Sequence, residues 1–81
     1  MNSYGRDVEI IKLNENALPF GVVFNPQQKA VVEKLMNGLA YKSIAADLNI
    51  SLQAVRQQAH RAYKKLNVAN RIQVLIRYGL R

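Results

Sequence analysis

The sequence predicts an all-α domain of four short helices preceded by an extended arm or hairpin, and three observations carry that expectation. Apolar residues recur at the 3.6-residue period in four stretches between residues 26 and 78. Side chains that cap helix starts, Asn25, Ser51 and Asn70, stand before three of them. Residues that tolerate the left-handed conformation, Gly38, Asn49 and Asn67, stand where the first three must stop.

Residues 1–24 form the arm and 25–81 the helical domain. Val8, Ile10, Ile11 and Leu13 alternate imperfectly with Glu9 and Lys12, Asn14-Glu15-Asn16 has turn chemistry, and the apolar run Leu18 to Phe24 is broken by Pro19 and Gly21. A short hairpin fits this pattern. Proline and glycine restrict the second run to an edge strand or an extended arm lying across the helices. Arg6 is the arm's only arginine, so covering the core or a second subunit suits it better than entering a minor groove.

Asn25 and Pro26 open the first helix as N-cap and first helical residue, with Gln28 placed to close a capping box. Val31, Val32, Leu35, Met36 and Leu39 give it a broad apolar face, and Gly38 ends it near residue 37. Tyr41, Ile44, Ala45 and Leu48 mark a second, shorter helix whose alanines permit close approach. In the turn Asn49-Ile50-Ser51, Asn49 takes the left-handed position, Ile50 plugs the corner and Ser51 caps the third helix.

That third helix, about residues 52–66, has two faces. Val55, Ala59, Ala62 and Leu66 form an apolar stripe, while Arg56, Gln57, His60 and Lys64 fall elsewhere on the helix. Helix, three-residue turn, helix is the spacing of a helix-turn-helix, whose second helix enters the DNA major groove. Asn70 then starts the fourth helix with Gln73 at the capping-box position. That helix carries two apolar stripes, Ile72, Leu75 and Ile76 in one, Val74 and Tyr78 in the other. One serves the core; Val74 and Tyr78 are expected to form a homodimer interface across a two-fold axis.

Composition narrows the function. With no cysteine and one histidine, neither a disulfide scaffold nor a metal cluster is expected. No apolar run approaches the roughly 18 residues of a membrane span, and MNSYGRDVEI lacks a signal-peptide pattern, so a cytoplasmic protein without membrane contact is expected. The net charge of +7 is segregated. Residues 1–47 hold five cations and five acids, whereas the remainder holds seven cations and no acid. Such polarity is the footprint of a polyanion binder. No glycine-rich phosphate loop or paired catalytic groups point to an enzyme or a cofactor.

From Phe24 to about Leu80 the chain resembles the LuxR/FixJ/GerE type of DNA-binding domain. The resemblance rests on FNPQQKAVVEKLMNGLAYKSIAADLNIS, on AVRQQAHRAYKKL and on NVANRIQVL. Gly38, the KxIA residues Lys42, Ile44 and Ala45, the turn from Leu48 to Ser51, and the run from Lys64 to Arg71 all stand at family spacing. Departures fall at Gln28 and Ala30 in place of acids, at Ala40-Tyr41 in place of a small polar pair, at Ala54 in place of threonine and at Asn67 in place of glycine. They preserve size or capping but remove polar contacts.

The resemblance implies a four-helix domain of winged-helix-superfamily type that reads double-stranded DNA as a transcriptional regulator. It is closest to stand-alone members, with RNA polymerase or a regulatory protein as further partners. It places base contacts at Arg56, Gln57 and His60. Arg56 can offer a bidentate fork to guanine, and Gln57 can both donate to and accept from adenine. Lys42, Ser51, Gln53, Lys64 and Arg71 are the phosphate-contacting set. Tyr41 to Ala45 also resembles region 4 of sigma factors, against which the final capped helix argues. A helix-turn-helix reused to bind a protein partner is the other reading.

Overall fold

Among the described residues, four α-helices form where the apolar periods place them: α1 (Pro26–Met36), α2 (Tyr41–Leu48), α3 (Leu52–Leu66) and α4 (Arg71–Tyr78). The structure is a computed structural model, and it describes residues 10–80; Arg6 and Val8 of the expected arm lie outside them. The Asn25 side chain accepts from the Gln28 N–H at 2.7 Å, Ser51 from Ala54 and Asn70 from Gln73. Ala40 gives α2 no side-chain cap.

Three helices end by the same device. Leu39 N–H donates to the Lys34 carbonyl, Ile50 to Ala45 and Val68 to Tyr63, at 3.0 to 3.1 Å. Gly38, Asn49 and Asn67 supply the left-handed residue at φ +84°, +55° and +55°. This is the Schellman closure, and it turns the chain sharply while satisfying carbonyls that the helix leaves open.

Of the expected extended arm or hairpin, the arm is what forms. β1 (Lys12–Leu13) pairs antiparallel with β2 (Gly79–Leu80), with Lys12 opposite Leu80 and Leu13 opposite Gly79. The run from Leu18 is spent on a turn instead of a strand: Val22 N–H donates to the Pro19 carbonyl, and Gly21 stands at φ +85°. Two side chains of the first helix and its C-terminal cap fasten the arm. Asn37 Oδ1 accepts from the N–H groups of Ile10 and Ile11 while its Nδ2 donates to the Ile11 and Glu33 carbonyls, and Glu33 Oε2 accepts from Leu13 N–H at 2.8 Å.

Two adjoining cores result. Val31, Leu35, Ile44, Val55 and Ala59 join α1, α2 and α3. Ile11, Leu13, Phe24, Val32, Met36, Ala62, Leu66, Val74 and Tyr78 join the arm, α1, α3 and α4. The second core corrects the expected subunit interface. Val74 and Tyr78 are 1 % and 8 % exposed, whereas Ile72 and Ile76 are 62 % and 76 % exposed. The arm's Ile11 and Leu13 and the β2 pairing draw the Val74–Tyr78 stripe inward, so the outward apolar stripe is the other one.

Candidate nucleic-acid interface

The Ser51 cap and the Asn67 closure fix both ends of α3, and its fully buried stripe fixes its rotation. Val55, Ala59, Ala62 and Leu66 are each at most 1 % exposed. Gln53, Arg56, Gln57, His60 and Lys64 are consequently exposed, as the helical period requires. Lys42 stands exposed on α2 and Ser51 on the turn. Capping uses an acceptor site of the Ser51 oxygen and leaves its O–H free to donate.

No acid interrupts this surface among the described residues. Glu15 pairs with Lys29 at 3.2 Å, Asp47 pairs with Lys34 at 3.4 Å, and Glu33 is bonded to the arm. Each described carboxylate is thus held against α1 or its lysines. Arg56, His60 and Lys64 have no partner among the described residues and remain available to a ligand.

Arg71 is placed differently from the other expected phosphate contacts. It is half-buried, its Nη1 donates to the Leu39 carbonyl at 2.7 Å and the Leu35 carbonyl at 3.4 Å, and its guanidinium lies 5.6 Å from the Tyr41 ring centre. There it closes the end of α1 and braces the start of α2. Nearby Tyr63 has its hydroxyl pushed up to about 12 by burial, with Tyr41 beside it adding to the rise and Arg71 opposing it.

Lys65 carries contacts that the sequence does not announce. Its Nζ donates to the Gln28 Oε1 at 3.1 Å and the Val23 carbonyl at 3.2 Å, and it lies 5.3 Å from the Phe24 ring centre. These partners are far away in sequence, so no local pattern could have signalled them. Gln58 Nε2 likewise donates to Gln27 Oε1 at 3.0 Å, tying α3 to the start of α1.

The family model described as bacterial regulatory proteins, luxR family, matches residues 22–78. The chain belongs to the LuxR family. The probable transcriptional regulator ycf29 of Cyanophora paradoxa is 37 % identical over 57 residues, covering 70 % of this chain and 27 % of that protein. The nitrate/nitrite response regulator protein NarP of Escherichia coli (strain K12) is 36 % identical over 76 residues, 94 % of this chain and 34 % of NarP. The probable HTH-type transcriptional regulator GfsR of Streptomyces halstedii is 30 % identical over 57 residues, 70 % of this chain and 24 % of GfsR. The chain therefore spans about a quarter to a third of the length of these curated relatives. No solved structure matches it.

Membership in the LuxR family sets the chain among regulatory proteins rather than enzymes, and the departures from the family pattern have visible effects. Gln28 is buried and bonded to Lys65, Ala40 leaves α2 uncapped, and Asn67 takes the left-handed position without glycine. No described helix is long and apolar enough to cross a membrane.

Proposed function

We propose that this LuxR-family chain is a sequence-specific, double-stranded DNA-binding transcriptional regulator whose α3 lies in the major groove. The observation that carries this reading is the row Arg56, Gln57, His60 and Lys64, exposed on a helix locked at both ends and free of neighbouring acids among the described residues. Arg56 and Gln57 have the geometry for guanine and adenine edges, and His60 stands one turn further on. Lys42, Ser51, Gln53 and Lys64 hold phosphates on either side. Arg71 reaches a phosphate only with the N–H groups not engaged with Leu39 and Leu35.

The protein acts as a homodimer in this proposal, through the exposed Ile72 and Ile76 of α4 in place of the buried Val74 and Tyr78. Selection of bound sites from a random duplex library tests the reading. Paired half-sites are expected, with Arg56→Ala relaxing the preference at one position and costing about 1–3 kcal/mol. An Arg56→Ala variant that keeps the parent's preference and affinity would sink the base-reading assignment.

A further inference from the structure

A second basic surface lies beside the recognition face, where the start of α1 meets the later turns of α3. Asn25, Gln28, Gln58, Arg61, Lys64 and Lys65 line an open groove of about 460 Å³. Among the described residues, three cations line it and no acid does. Gln28 is only 5 % exposed, and Lys65 holds its Oε1, which fixes Nε2 as the free end of the amide. That Nε2 has no partner among the described residues. Asn25 is oriented in the same sense, since its Oδ1 accepts from Gln28 N–H and leaves Nδ2 free. Gln58, whose Nε2 is taken by Gln27, is the one lining side chain left with a free oxygen. The groove therefore combines positive charge, a surplus of donors and a buried N–H that lacks an acceptor.

We propose that this groove is a phosphate site, held by Arg61, Lys64 and the Gln28 Nε2, and that it takes a phosphodiester of the DNA strand flanking the groove entered by α3. The inference rests on the DNA-binding reading for the source of the phosphate and on the groove itself for its chemistry. Lys64 joins the two surfaces, since it belongs both to the exposed row of α3 and to the groove lining. Arg61 thereby becomes a contact to the DNA backbone. A singly charged, tetrahedral oxyanion matches a set of donors lining one groove, whereas a cation is repelled and an apolar ligand leaves them unpaired.

Two variants and two probes test it. Arg61 is exposed, so Arg61→Ala leaves the fold intact; Gln28→Glu keeps the size and the bond from Lys65 but places a carboxylate where the phosphate would sit. For a mixed-sequence duplex, each variant is expected to reduce the slope of log affinity against log salt by about 0.9, one phosphate contact, with base preference unchanged. Duplex binding by the parent with the same slope and affinity in both variants overturns the proposal. Should the parent bind no duplex at low salt, the regulator reading fails by itself, and inorganic phosphate then decides the groove. Movement of the Gln28 side-chain amide signals in a nitrogen–proton spectrum, abolished by Arg61→Ala, supports a site for free phosphate groups. Unmoved signals overturn it.

Discussion

Arg56 and Arg71 carry the same guanidinium into opposite surroundings. Arg56 projects from α3 with no partner among the described residues, whereas Arg71 closes two backbone carbonyls and lies over the Tyr41 ring. Truncation should separate them: Arg71→Ala leaves the half-buried Leu39 carbonyl unpaired and is expected to cost about 1–3 kcal/mol in chemical denaturation. Arg56→Ala is expected to leave the denaturation midpoint unchanged. Equal midpoints for the two variants would show that Arg71 has no structural role. Tyr63, beside Arg71, gives a pH signature. Its folded pKa of about 12 lies above the ordinary 10.0, so the folded state favours the protonated hydroxyl. That contribution is complete below pH 10 and is lost as pH rises towards about 12. Thermal midpoints should fall across this window, and Tyr63→Phe should make the fall shallower. At this scale the exposed row on α3 was legible because a 3.6-residue period fixes which side chains oppose a buried stripe. Arg71, Lys65 and Gln28 were not, since their partners come from distant parts of the chain.

Helix ends were the most legible elements, because a cap is a local contract between a side chain and a few backbone groups. Asn25, Ser51 and Asn70 each accept the N–H three residues on, and Gly38, Asn49 and Asn67 each take the left-handed turn. Gln28, expected to complete the first capping box, is spent on Lys65 instead. The second of the paired helices is held by these ends, while α2 starts at Ala40 with nothing but backbone. Ala40→Ser should therefore stabilise the protein by about 1 kcal/mol, read as a raised denaturation midpoint with unchanged slope. No gain would show that the first turn of α2 is already satisfied by other groups. The rotation of α4 was illegible for a different reason. Both of its stripes are apolar, and the choice between them is made by Ile11, Leu13 and the pairing of β1 with β2, a contact between the two ends of the chain. Gly79 belongs to the same contact: a Cβ there would stand 2.5 Å from the Leu75 carbonyl oxygen, so the close approach of strand to helix requires its absence.

At the scale of the whole molecule, the described acids are kept apart from the cations of α3. The described acids are held around α1, the cations of α3 face outward, and Ile72 and Ile76 are left exposed on α4. A two-fold contact through α4 would bury four isoleucine side chains. Each contributes at most about 1.5–3 kcal/mol, a gross gain of roughly 6–12 kcal/mol. Association costs about 4–15 kcal/mol of lost translational and rotational freedom. The two ranges nearly cancel, so the proposed dimer is weak in free solution and is completed on DNA, where two half-sites hold the protomers at high effective concentration. Sedimentation at micromolar protein should thus show mainly monomer, and a duplex with two half-sites should bind cooperatively. Ile76→Glu places charges against one another across the axis. It is expected to abolish the cooperativity while leaving single half-site affinity and the folded spectrum as they were. Undiminished cooperativity in Ile76→Glu would place the contact between protomers elsewhere than on this face of α4.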